Sequence, residues 1–476
     1  MTDPTRWSAV AQLSALARGE LSAGELLAET RAVHDAVNPR INAVVTTDFD
    51  RAEQAARASD QRRSAGQPVR PLEGLPVLVK DLEDVAGVRT TYGSLLHADH
   101  VPAGDALVVA RMRAAGAVIY GKTNTPEWGT GSHTYNRVFG TTTNPYAPTR
   151  SVGGSSGGSA AALAAGLSSV ADGSDMGGSL RNPAAFCNVV GLRPSIGRVP
   201  DWPVGDSWDT LSTCGPMART VADAVLLLSV LSGADDRAPL AFPDAFPARL
   251  PELPGPLRIG WSRTLGGLDI EAGITEVLDG QGRPGLVELG HGVRDVEPDL
   301  AEADPAFRTL RGLEFARKFG ASLETHRDQL GPELIENTES GLRLTVGEVN
   351  QAIDRRQRVY EGMMRLFADL DVLAAPVTTA LPFDASTTWP RMINGVPQRD
   401  YLDWMRACWR VSLTGFTALS VPCGFTPDGL PVGLQLIAPP RREDLILGLA
   451  AQLENRNPVW RQTPEVRTAG TGRSSS

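Results

Sequence analysis

Cysteine and histidine are scarce in this chain of 476 residues, and positive charge is in deficit. The four cysteines, Cys187, Cys214, Cys408 and Cys423, stand far apart, with no C-x-x-C pair and no paired histidines beside them. That excludes a disulfide framework and the usual zinc spacings. The thiols read as reduced and mostly buried, as in a cytoplasmic protein, and no metal site is expected. Of the six histidines, His34, His97, His100, His133, His291 and His326, none stands in a motif resembling a serine-hydrolase triad. Lysine and arginine number 46 against 55 acidic residues, and the net charge of -9 argues against nucleic acid or an anionic membrane as the main partner. No run of 18 apolar residues occurs, so no membrane span is expected. "MTDPTRWSAV" at the start lacks the basic and apolar segments of a secretory leader, so a cytoplasmic location is expected.

Glycine (49) and proline (35) are abundant while apolar residues stay at 42%, which implies many tight turns around a large core rather than disorder. Two helical patterns fill 7–36, the second starting at Ser22. "INAVVTT" (41–47) reads as a strand, "DFDRAEQAARASDQRR" as an exposed helix, and "LPVLVK" (75–80) as a short apolar run ending in lysine. A helix at 105–115 leads to the strand "AVIYGKTN". After a glycine-serine loop come a helix at 159–166, a strand near "SSVAD", and a turn through Gly177-Gly178 into "SLRNPAAFC". The alternation argues an α/β fold with a substantially parallel sheet. Thr220 reads as a helix N-cap, and 235–255 as a proline-rich surface connection. The weakly patterned helical stretch that follows suits an elaboration on the main sheet. "LSVPCGFTPDGLPVGLQLIA" (419–438) reads as a hairpin turning at Asp428-Gly429, followed by a helix at 443–454.

Three pieces carry the chemistry: "VLVKDLEDVAG" (77–87), "GGSSGGSAAA" (153–162) and "DGSDMGGSLRNPAAFC" (172–187). Ser179 follows two glycines and opens an expected helix, where unobstructed amides and the helix dipole favour negative charge. On position alone a capping serine is the simpler reading. As a nucleophile, Ser179 would attack a carbonyl while the amides of Met176, Gly177, Gly178 and Ser179 receive the oxyanion. It needs a base. No G-x-S-x-G elbow or suitable histidine is present, whereas Lys80 ends a buried-looking run, and burial favours a neutral amine. A hydroxyl both donates and accepts, so a loop serine, Ser155 or Ser156, would relay the proton between them.

These residues resemble the amidase signature family. Lys80, Ser155 and Ser179, 75 and 24 residues apart, match that family's lysine, cis-serine and nucleophile. "GKTNTPEWG" (121–129), "FCNVVGLRPS", "CGPMARTVADA", "SVPCGF" and "GLPVGLQLI" are similar to family segments, over roughly 10–235 and 405–455. The resemblance favours Ser155 over Ser156 and implies a cis peptide before it, so the loop is a buried platform rather than a linker. Ser174 stands where the family usually has threonine, Leu180 where isoleucine follows the nucleophile, and Asn182 where an apolar or arginine-like residue is more frequent. Asp175 and Arg181 are expected to brace the nucleophile turn, and Ser174 either to brace it or to join the relay. Trp128, His133 and Tyr135 are candidates for the substrate pocket wall. The aromatic-rich stretch 387–409 is a candidate substrate loop, or else an ordinary helix-loop-helix patch.

The implied fold is a single large α/β domain over 1–465, a twisted mixed sheet flanked on both faces by helices. Its core would lie in 10–235 and 371–460, with a helical elaboration at about 240–370 and a disordered tail at 466–476. The implied activity is cofactor-free hydrolysis of small amides, aryl amides and anilides above all, with carbamates and esters as further candidates. Its partners would be the amide and water, and a homo-oligomer is compatible with the sequence. Within the family the alternative is the glutamine-hydrolysing subunit of a tRNA-dependent amidotransferase. Outside it, the glycine-rich loop could cradle a phosphate, but G-x-x-x-x-G-K-[ST] is absent.

Overall fold

The computed structural model describes residues 3–203 and 205–468. Eleven strands form one sheet: β1 (Val44–Thr47), β2 (Pro76–Lys80), β3 (Val118–Thr123), β4 (Val170–Asp175), β5 (Val190–Arg193), β6 (Thr213–Ala218), β7 (Arg258–Trp261), β8 (Gly292–Asp295), β9 (Val372–Pro376), β10 (Thr417–Phe425) and β11 (Pro431–Ala438). Their order is β1-β3-β2-β4-β6-β5-β10-β11-β9-β7-β8. Parallel pairing joins β3-β2-β4 on one flank and β9-β7-β8 on the other. Between the flanks, from β4 through β6, β5, β10 and β11 to β9, every pair is antiparallel. The alternation of strands and helices therefore foretells only the flanks, and the hairpin β10–β11 belongs to the antiparallel centre.

Every residue of β2, β3, β9 and β11 is buried, so both faces of the sheet are covered there. One continuous apolar cluster, from Ala9 to Val466, holds strands and helices together. The first helices start where their caps stand: Ser8 accepts from Ala11 N–H, and Ser22 forms a capping box with Glu25. The second helix runs on to Ile41, so the strand expected at 41–47 begins only at Val44.

Three further expectations change. The segment 240–370 is not purely helical, since it supplies β7 and β8 to the sheet. Residues 387–409 hold a small hairpin, Met392–Ile393 with Val396–Pro397, ahead of the helix Arg406–Thr414, and not a helix-loop-helix. The tail does not start at 466: Glu465–Thr468 is helical, and the buried Val466 donates its N–H to Pro145 O. The rest of the expected tail lies outside the described residues. Among the described residues, no helix is long and apolar enough to cross a membrane.

Candidate active site

Lys80 is the last residue of β2, and Ser174 and Asp175 end its parallel neighbour β4. Ligands of parallel sheets bind outside the carboxyl ends of such strands, and this is where the loops carrying Ser155 and Ser179 converge. The peptide between Gly154 and Ser155 is cis. The loop then enters the helix Gly157–Ala164 with almost no room: a Cβ on Gly158 would stand 2.3 Å from Asn124 N. Glycine here is thus demanded by close packing, as befits a wedged loop and not a tether.

Lys80 is fully buried, and its Nζ contacts three hydroxyls: Ser155 Oγ at 2.8 Å, Ser156 Oγ at 2.9 Å and Ser174 Oγ at 3.0 Å. These saturate the three donors of an ammonium. A neutral amine would instead keep two donors and accept from one hydroxyl. Burial brings Lys80 down from 10.5 to about 8, with Asp172 and then Glu83 pulling in the other direction. Asp172 also fixes the strand end, its Oδ1 accepting Lys80 N–H at 2.9 Å. Of the two loop serines, Ser155 lines the cavity described below, whereas Ser156 Oγ turns inward to the Ser174 N–H.

Ser179 is 7% exposed and lines the same cavity, with no hydrogen bond between its hydroxyl and that of Ser155. It does not open a helix: the helical residues are Arg181–Phe186, two positions later. The turn is organised by Asp175. Its carboxylate accepts from Gly178 N–H (2.8 Å), Leu180 N–H (3.2 Å) and Arg181 Nε (3.0 Å), and Arg193 donates to its carbonyl. Burial would raise the Asp175 carboxyl, but Arg181 and Arg193 hold it below the usual carboxylate range. Gly178 adopts φ +117°, and a Cβ there would lie 2.4 Å from the Cys408 Cβ. The expected set of oxyanion donors needs correcting: the Gly178 amide is occupied by Asp175. Those of Met176, Gly177 and Ser179 make no hydrogen bond among the described residues.

Ser155, Ser174, Met176 and Ser179 open onto a cavity of about 680 Å³. Trp128 lines it and stacks on Tyr92 with ring centroids 4.3 Å apart. His133 and Tyr135 do not line it, contrary to expectation, because each is held elsewhere. His133 is wedged between Ser151 Oγ (2.8 Å) and Ala385 O (3.0 Å), and burial lowers its pKa to about 4. Tyr135 donates to Glu333 Oε1 at 2.6 Å. No residue of 387–409 lines the cavity either.

Much of the wall comes from the helix Ala303–His326, whose Arg311, Phe315, Lys318 and Phe319 face the cavity. Their spacing (i, i+4, i+7, i+8) marks one helical face, a signal present in the sequence but not tied there to the serines. Across from it, Glu83, Asp201 and Cys214 bring their ligand-capable atoms within 4.8 Å of one another. The scattered cysteines thus do place one thiol beside two carboxyl groups. Burial raises all three groups, and the thiol lies 3.6 Å from Glu83 Oε1 and 3.5 Å from Asp201 Oδ2.

Fold and site together are those of an amide-hydrolysing α/β enzyme, and the comparisons agree. The family model for Amidase matches residues 25–447, and the chain belongs to the amidase signature family. The match runs through the middle of the chain, which the motifs alone leave poorly covered. An acylamidase of Rhodococcus erythropolis is 35% identical over 460 residues, 95% of each chain. A glutamyl-tRNA(Gln) amidotransferase subunit of Chloroflexus aurantiacus is 37% identical over 494 residues, covering 98% of this chain and all of that one. Among solved structures, a bacterial aryl acylamidase of the same family superposes with a TM-score of 0.89 at 27% identity, covering 98% of this chain and 99% of its own.

Proposed function

We propose that this enzyme hydrolyses small amides, aryl amides and anilides in particular, through an acyl-enzyme on Ser179, with Ser155 and Lys80 as proton relay. The observation that carries the reading is the contact of Lys80 Nζ with Ser155 Oγ at 2.8 Å, beside a cavity that Ser155 and Ser179 both line. Neutral Lys80 takes the Ser155 proton as Ser155 takes that of Ser179, and Ser179 Oγ attacks the carbonyl carbon. The oxyanion is received by the Met176, Gly177 and Ser179 amides, which in the free enzyme have no other acceptor among the described residues. The relay then returns the proton to the leaving nitrogen as the C–N bond breaks, and water, activated by the same relay, cleaves the ester. Carbamates and esters present the same carbonyl to the same donors and are included. Ser174 supports the lysine, and Asp175 with Arg181 supports the turn. We place the enzyme in the cytoplasm, with an amide and water as its reaction partners and no nucleic acid.

The similarity to amidotransferase subunits favours one other reading, release of ammonia from glutamine within a complex. A panel of anilides, aliphatic amides, carbamates, esters and free glutamine, offered to the purified chain, tests both. Turnover of anilides by the chain alone supports the first. Glutamine as sole substrate, with partner subunits copurifying, supports the second.

A further inference from the structure

Charged groups on the cavity wall are largely accounted for by one another. Asp206 pairs with Arg317 at 2.6 Å. Glu314 lies beside Asp209, and burial together with that neighbour raises its carboxyl to about 8. Asp201 and Glu83 lie with Cys214, and Lys318 has both carboxyl groups in its surroundings while its Nζ sits 4.9 Å above the Trp128 ring.

Arg311 is different. It is 6% exposed, lines the cavity, and forms no ion pair among the described residues. Of the five donors of a guanidinium, two are engaged: Nη2 donates to Tyr401 Oη at 2.6 Å, and Nη1 points at the Met176 thioether at 3.0 Å, a weak acceptor. Its Nε is buried without a partner. The Phe315 ring lies 4.2 Å from the guanidinium carbon and keeps the group in place. A buried charge is ordinarily paired, because desolvation is otherwise uncompensated. A planar cation left with free donors in a cavity is therefore matched to an anion that arrives with the ligand, and the fork suits a carboxylate.

We infer that Arg311 is the anchor for a carboxylate carried by the amide substrate, so that the enzyme acts on acidic amides such as the monoamides of short dicarboxylic acids. Contact with Met176 puts the guanidinium beside the loop that bears the free amides, so a short tether joins the carboxylate to the scissile carbonyl. The inference rests on amide hydrolysis at Ser179, and two measurements keep the ideas apart.

The first compares kcat/KM for N-succinyl 4-nitroanilide and N-butyryl 4-nitroanilide, which differ by a terminal carboxylate. Wild type should favour the acidic substrate by about 10- to 100-fold, the range for hydrogen bonds to a charged group. Arg311→Gln should bring the ratio close to one, and Arg311→Lys, which keeps charge but not the fork, should retain part of it. The second titrates succinate calorimetrically into the intact protein, with thermal melts to confirm folding. Binding is expected in wild type and in Ser179→Ala, and lost in Arg311→Gln. If Arg311→Gln does not fold, a ratio lowered at least severalfold in Arg311→Lys carries the test. Equal rates on the two anilides, a ratio unchanged by either Arg311 variant, or no succinate binding overturns the carboxylate site. Succinate binding that depends on Arg311, without turnover of either anilide, keeps the site and overturns the anilide-hydrolysis reading instead.

Discussion

Replacing Asp172 by asparagine should move the pH dependence of the reaction while leaving the architecture standing. Asp172 is buried against the lysine strand, its Oδ1 accepts the Lys80 N–H at 2.9 Å, and its Oδ2 has no partner. Asparagine keeps the carbonyl acceptor and removes the charge. Of the groups that oppose burial at Lys80, Asp172 acts most strongly, and the balance leaves the lysine at about 8. Only neutral Lys80 can take a proton, so activity is present above that value and lost as pH falls through it. Wild-type kcat/KM should stand at about a tenth of its plateau at pH 7 and about a hundredth at pH 6. Removing an adjacent opposite charge lowers a lysine pKa by about 1 unit or more. The acid limb of Asp172→Asn should therefore lie near 7 or below, and its activity at pH 6, relative to its own plateau, should rise roughly tenfold. Nitroanilide kcat/KM measured from pH 5.5 to 10 in both proteins decides it. An unmoved limb, or one moved upward, refutes the assignment of Lys80 as the titrating base, as does loss of the limb on replacing any one histidine.

Ser155→Ala and Lys80→Ala should each lower kcat by about 10²–10⁴, and the double variant should be little worse, since members of one relay act non-additively. Ser156→Ala should cost far less, because its hydroxyl faces the Ser174 backbone rather than the cavity. Asp175→Asn strands Arg181 and Arg193 in the interior, and urea denaturation should show about 3–5 kcal/mol of lost stability. Gly178→Ala sets a Cβ 2.4 Å from that of Cys408 at φ +117°, and the same assay should show about 2 kcal/mol or more of destabilisation. Activity should survive strong chelators and vanish with a sulfonyl fluoride; recovery of a chelated, inactive sample with zinc or manganese would contradict the proposed mechanism.

The lysine and the two serines were legible because each sits in a short stretch whose composition has few other uses. Lysine at the end of an apolar run, glycines flanking serines, and a glycine pair before Ser179 all signal chemistry or close packing. What those stretches do not encode is which acceptor a loop amide finds. Asp175 reaches three residues ahead to the Gly178 N–H, and that choice removes one expected oxyanion donor and delays the helix to Arg181. The edge strand β8 was missed for another reason. Gly292–Asp295 is mostly exposed, so β8 carries no apolar alternation to read. The cavity wall is the least legible part. Arg311 and Lys318 lie on a helical face whose period is plain, but only the tertiary fold reveals that the face lines the same cavity as Ser179. His133 shows the converse, since a histidine near the motifs is absorbed by Ser151 and a backbone carbonyl.

The central claim, nucleophilic attack by Ser179 through Ser155 and Lys80, is tested most directly by locating the acyl group. A slowly deacylating anilide or carbamate is incubated with the intact enzyme, which is then quenched in acid and mapped by peptide mass spectrometry. The acyl mass is expected on Ser179 in wild type, on no residue in Ser179→Ala, and on Ser179 at a much reduced rate in Ser155→Ala. An acyl group on Ser155 or Ser156 of the wild-type enzyme, with Ser179→Ala still labelled, would contradict the mechanism.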